Sequence, residues 1–139
     1  MPARSATSAA RKPVDEKVTI NLGYVDLGQI DLLVQEGFYA NRTDLIRAAI
    51  RNQIATHADV VKQSVVRKTL ALGIHHISAH DLRAAKAAGR PLQIRVLGLA
   101  SIAPDVTPAL ALAAIESIVV LGALHASPAV KAALAKRLR

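Results

Sequence analysis

Residues 17–22 read KVTINL, a strict alternation of polar and apolar side chains. Lys17, Thr19 and Asn21 fall on one side and Val18, Ile20 and Leu22 on the other, the period of two that marks a β-strand with one wet and one dry face. A lone strand leaves a row of backbone N–H and C=O groups without partners. No turn-linked second strand comes after it in the sequence, so the partner must come from elsewhere.

The next stretch has the helical period. In GYVDLGQIDLLVQEG, Leu27, Ile30, Leu33 and Val34 recur at helical spacing, with Asp26, Asp31 and Glu36 on the other side. Gly37 suits the position just past a helix end, where the left-handed conformation costs glycine little. The spacing predicts a first helix over about 25–36. Asn41 then reads as an N-cap, with Asp44 three residues on beside the positive helix end. Leu45, Ile46, Ala49, Ile50 and Ile54 form the apolar stripe of a second helix, predicted to start at 42 and to reach at least 56. One strand and two short helices cannot close a core. Two copies can: the strands pair antiparallel about a twofold axis, and Val18, Ile20 and Leu22 lie on four helices.

With these features in place, residues 17–56 resemble the ribbon-helix-helix family of DNA-binding repressors, the group of Arc, MetJ and CopG. The alternating strand, the helix ending in Gly37, the NRT cap and the LIRAAI stripe carry the resemblance. It implies an obligate homodimer whose two-stranded ribbon enters the major groove of double-stranded DNA. It places Lys17, Thr19 and Asn21 at the outward positions that touch bases. Lys suits guanine O6/N7, Asn suits adenine N6/N7, and Thr is more permissive. It places Asn41, Arg42 and Thr43 at the helix start that grips a phosphate. Without that context the same three strand residues would read as a solvated face. Asp15 and Glu16, just before the strand, depart from the pattern by weakening phosphate attraction there. Arg47 and Arg51, four residues apart, read as a solvated helix face.

Charge is unevenly distributed. The net +8 divides into seven basic against seven acidic residues over 1–60, and eleven against three over 61–139. A basic balance is compatible with nucleic acid and equally with a solvated positive surface. Residues 1–16 read as a disordered basic arm whose Arg4, Arg11 and Lys12 could reach phosphates. With no cysteine, disulfides and thiolate metal sites are excluded. The longest charge-free run near the C-terminus, Ser117–Val130, is 14 residues and contains Gly122 and Pro128, whereas a membrane span needs about 20. The N-terminus lacks the apolar core of a signal peptide. The expectation is a cytoplasmic, nucleoid-associated protein with no membrane partner.

The C-terminal half repeats. Residues 94–110, IRVLGLASIAPDVTPAL, laid over 118–134, IVVLGALHASPAVKAAL, match at eight of 17 positions with an offset of 24. A looser third copy, LALGIHHISAHDLRAA, starts near Leu70, with Gly73 one residue out of step with Gly98. Such a period is the size of one solenoid coil, a strand followed by a helix or helical turn. Ser78 with Asp81, Thr107-Pro108 and Ser127-Pro128 mark helix starts, and Gly89-Arg90-Pro91 a helix end. The strands should stack in parallel with Ile94, Val96, Ile118 and Val120 inward. This half resembles a short leucine-rich-repeat-like solenoid without the usual Asn ladder. It also resembles the C-terminal region of a set of bacterial ribbon-helix-helix regulators. The predicted fold class is therefore α+β: a dimeric ribbon-helix-helix over 17–58, a connecting helix or linker over 59–68, and about three 24-residue coils over 69–139. Open parallel edges and the lack of a polar cap predict self-association through residues 69–139.

Candidate chemistry is thin. His75, His76 and His80 cluster, but with only Asp81 nearby they make a weak metal set. Asp105 and Glu116 lack a catalytic partner, and Ser78, Ser101 and Ser127 lack a nucleophile-elbow context. No glycine-rich phosphate loop is present, so the reading is not an enzyme, with no cofactor and no small-molecule ligand. The basic residues Lys62, Arg67, Lys68, Arg83, Lys86, Arg90, Lys131, Lys136, Arg137 and Arg139 either keep an apolar repeat soluble or hold flanking DNA. The leading function is a sequence-specific transcriptional repressor whose repeats set oligomerisation. The alternative is a self-assembling scaffold whose N-terminal part tethers DNA or only dimerises. An antitoxin role fits less well, because antitoxins carry a flexible polar tail and this one is apolar.

Overall fold

The computed structural model describes residues 15–139. Its elements run α1 (Tyr24–Gln35), α2 (Arg42–Thr56), α3 (Ala58–Arg67), β1 (Ala71–Ile77), α4 (Ala79–Ala87), β2 (Leu92–Ile102), α5 (Pro108–Ala114), β3 (Ile115–His125) and α6 (Pro128–Leu134). The chain divides into one unit reaching to Ile50 and a second from Arg51 to Arg139, so the division falls inside α2.

In the first unit, α1 and α2 begin and end within a residue of their predicted bounds. Three helices, α1, α3 and α4, stop in the same way. After α1 the amide of Gly37 donates to Val34 O and that of Phe38 to Leu33 O, both at 3.1 Å, with Gly37 at φ 85°. The double bond satisfies carbonyls that the helix end would otherwise leave free. Gly89 occupies the equivalent place after α4. After α3 the residue is Thr69, at φ 53°, a left-handed conformation that a β-branched side chain adopts only under strain. No residue from 15 to 69 is buried. Leu27, Ile30, Val34, Leu45 and Ile46 are half-buried, while Leu33 and Ile50 remain exposed.

The second unit holds the core. Fifteen buried residues, all apolar, lie between Leu70 and Leu134 among the described residues. They sit beneath an open three-stranded parallel sheet of order β1-β2-β3. Parallel neighbours need crossover connections, and α4 and α5 supply them. α4 packs on α5 and α5 on α6, the one-sided layer that right-handed crossovers dictate when strands follow in order. Alternation along β2 buries Ile94, Val96, Ala100 and Ile102. Of the four residues expected inward, Ile94, Val96 and Ile118 are buried and Val120 is half-buried.

The register bears on the repeat alignment at two points. Gly73 stands directly opposite Gly98, and Gly98 opposite Gly122. The extra residue of the first copy therefore falls after Ile77, within the expected one-residue gap between the glycine and Asp81-Leu82. The offset of 24 also sets Pro104 against Pro128, yet α5 starts one turn later, at Pro108. In place of a first helical turn there is a turn closed by Val106 N–H to Ala103 O. The core position survives that change: Leu82, Val106 and Val130, spaced by 24, are all buried. The result is a mixed α/β chain with three βα units on an open sheet.

All three helix starts expected in this half are present. Ser78 Oγ accepts from Asp81 N–H, and Asp81 Oδ2 accepts from Ser78 N–H, both at 3.1 Å. Thr107 and Ser127 accept from Leu110 and Val130 amides at 3.2 Å, each with proline opening the helix.

Candidate nucleic-acid interface

The residues expected at a DNA interface that fall within the described part of the chain belong to the first unit. Lys17, Thr19 and Asn21 lie in a segment, 16–23, with no regular secondary structure, and every side chain there is exposed. Among the described residues the segment pairs with no strand of its own chain, because the only sheet is β1-β2-β3. Its apolar side is bare as well: Val18 is 79% exposed and Ile20 58%. Tyr24, Val25 and Phe38 extend the bare apolar surface beyond the strand pattern. Single exposed apolar side chains are ordinary, but this many on a unit without a buried residue leave it short of a core of its own.

The start of α2 is built from residues 40–44. Asn41 Oδ1 accepts from Asp44 N–H at 2.8 Å, and Asp44 Oδ2 accepts from Ala40 N–H at 3.1 Å. The amides of Arg42 and Thr43 are left as first-turn donors without an intrahelical acceptor. The Arg42 side chain is already engaged. Its guanidinium meets Asp31 of α1 through two hydrogen bonds of 2.7 Å, Nε to Oδ1 and Nη2 to Oδ2. These bonds hold the Asp31 carboxyl below the usual carboxylate range and raise Arg42. A phosphate at this helix start would therefore meet backbone amides and Thr43 before it met a free guanidinium. It would also meet the Asp44 carboxylate. Eleven residues separate Asp31 from Arg42, and no helical or strand spacing in the sequence signals the pair.

Arg4, Arg11 and Lys12 lie outside the described residues. Of the basic residues in the second unit, two are structural. Arg95 Nε donates to Lys68 O at 2.8 Å. Arg137 Nη1 donates to Leu112 O and, at 2.6 Å, to Ile115 O, holding carbonyls at the end of α5.

The histidines are dispersed. His75 and His76 are successive strand residues and so face opposite sides of the sheet, while His80 is on α4. Among the described residues no three His, Cys, Asp or Glu side chains are placed to hold a metal ion. Ser78 and Ser127 act as helix caps, and Glu116 accepts from Gln93 Nε2 at 3.2 Å. No helix of the described residues is long and apolar enough to cross a membrane.

An exposed alternating segment, a helix ending in glycine and a second helix opening on an asparagine cap define a class, the ribbon-helix-helix proteins. The chain belongs to the ribbon-helix-helix transcriptional regulator family, whose family model matches residues 13–131. That span takes in most of the three βα units as well as the first unit. No curated protein and no solved structure matches the chain.

Proposed function

We propose that the chain is a sequence-specific DNA-binding repressor, active as a homodimer whose two copies of residues 17–22 form an antiparallel ribbon in the major groove. The observation that carries this reading is the unit up to Ile50, which has no buried residue among those described and a bare alternating segment. Such a unit gains a core only from a second copy. Lys17, Thr19 and Asn21 then face the bases. The amides of residues 42 and 43, with Asn41 and Thr43, take a phosphate, and Arg42 joins only by leaving Asp31. Residues 69–139 act as a short solenoid that self-associates and so makes operator binding cooperative. The family membership and the net charge of +8 support DNA as the partner.

The test is selection of bound sequences from a random DNA pool by the full chain and by Asn21→Ala. The wild type should return a defined pair of half-sites. The variant should lose about 1–3 kcal/mol on that site and relax preference at one position per half-site. Equal binding of selected and random DNA by both proteins would remove strand readout.

A further inference from the structure

We propose that copies of this chain stack edge to edge through the parallel sheet, β3 of one copy against β1 of the next. The inference deepens the self-association proposed above and rests on it.

Both edges are open where it matters. Among the described residues, β1 has no pairing on the side away from β2. On β3, the C-terminal residues pair only at Ile118, whose N–H donates to Arg137 O and whose C=O accepts from Arg139 N–H. Ile118 lies in the row of Ile94, two rows before β1 begins, since Ala71 stands opposite Val96 and Val96 opposite Val120. The clip therefore stops short of the rows that a strand like β1 would occupy. Among the described residues, the remaining edge of β3 carries backbone groups without a strand partner, which an incoming strand satisfies.

The glycine row selects which strand can come in. A Cβ on Gly98 would run into the carbonyl of Gly73, and one on Gly122 into the carbonyl of Gly98, in both cases far inside van der Waals contact. Each strand thus offers a residue without Cβ to the glycine carbonyl of the strand before it. A strand laid on β3 in the same manner must have glycine opposite Gly122. β1 has one, Gly73 at φ 114°, and nothing among the described residues crowds that Cβ position. A second copy's β1 placed with Gly73 on Gly122 also sets Leu72 on Leu121 and Ile74 on Ala123. Those are the exposed apolar side chains of the two edges: Leu72 is 70% exposed, Ile74 58% and Leu121 49%. Such a contact joins unlike edges, so it propagates from copy to copy and does not close on itself as a twofold pair would.

Its size explains how it would be used. Seven paired residues span about 23 Å, and a sheet with its helix layer is about 20 Å deep. The footprint is about 450 Å² on each partner, against about 800 Å² for a standard interface. One junction is therefore weak. Two on each ribbon dimer reinforce one another through high effective concentration.

The chain has no cysteine, so single cysteines report contacts cleanly. Full-length Leu72→Cys and Leu121→Cys are prepared separately, mixed, and treated with a short bismaleimide. Within one chain these positions are two strand spacings apart, roughly 10 Å, with β2 between them. Only the mixture should cross-link, at least tenfold faster than either protein alone, and Ile74→Cys with Ala123→Cys should repeat the pattern. Cross-linking of Leu72→Cys to itself at the same rate would overturn unlike-edge stacking. So would absence of product while light scattering of the untreated chain shows species above a dimer, and self-association would then survive by another surface. A strict dimer at every concentration would remove self-association and edge stacking together.

Discussion

Thr69 is the residue with the clearest strain. It ends α3 in the left-handed conformation where the equivalent residues after α1 and α4 are Gly37 and Gly89. Its amide donates to Val66 O, and that of Leu70 to Val65 O, so the turn is fully bonded and only the β-branched side chain is out of place. Thr69→Gly should stabilise the chain by about 0.5–1 kcal/mol, the relief of strain exceeding the extra freedom of the unfolded glycine. Chemical denaturation with an unchanged slope is the measurement. Nothing in TLALG announces the strain, because threonine is an ordinary strand residue and the position is set by where Leu70 must be buried. The Asp31–Arg42 pair was equally silent in the sequence, since it depends on two helices meeting.

Among the elements, α4 has the most explicit start. Hydrogen bonding to the carboxylate from the Ser78 backbone N–H first, and from the Ser78 side chain second, holds the Asp81 carboxyl below its ordinary range. A depressed carboxylate contributes stability that is present above its unfolded value, about 3.9, and is lost as pH falls through the lower folded value. Melting temperature should therefore fall below about pH 4. In Asp81→Asn the difference between the melting temperatures at pH 7 and pH 3 should shrink, and an unchanged difference would show that the box does not titrate with folding. The elements of this chain were legible because their ends are written in side chains: Asn41, Ser78, Thr107 and Ser127 at starts, Gly37 and Gly89 at stops. Less legible was the turn that precedes α5, where the repeat alignment sets Pro104 against the helix-opening Pro128. There the repeat kept the buried Val106 while the turn before it is not helical, and an alignment by identity follows the core residue, not the backbone. The alternating KVTINL segment showed the need for a partner but could not show one, since hydrogen bonds to a second molecule leave no mark in a single sequence.

At the scale of the whole molecule, the two proposed associations respond to salt with opposite signs. Phosphate contacts release counterions, so DNA affinity should fall as a power of salt concentration, by roughly one power for each phosphate neutralised. Edge stacking brings the unit with eleven basic and three acidic residues after position 60 against a second like itself. Arg83 and Lys86 on α4 of the next copy would come to the side of α6, which carries Lys131, a repulsion that salt screens. Sedimentation without DNA should therefore show larger species as salt rises from about 0.05 to 0.5 M, over which range the Debye length shortens to a few ångströms. Shrinking species would place attractive charge at the contact instead. The repeat period and the parallel stack were visible in the sequence because each unit restates the same buried residues. The matching of the two outer edges was not, because it depends on which way a glycine carbonyl points.

The parallel bridge between Ile118 and Leu138 fixes the exit direction of the polypeptide. Anything fused after Arg139 sets off along β3, over the rows from Val120 onward. A purification tag placed there would lie on the same edge as the proposed neighbour. Tagged and untagged preparations would then report different particle sizes for one and the same protein.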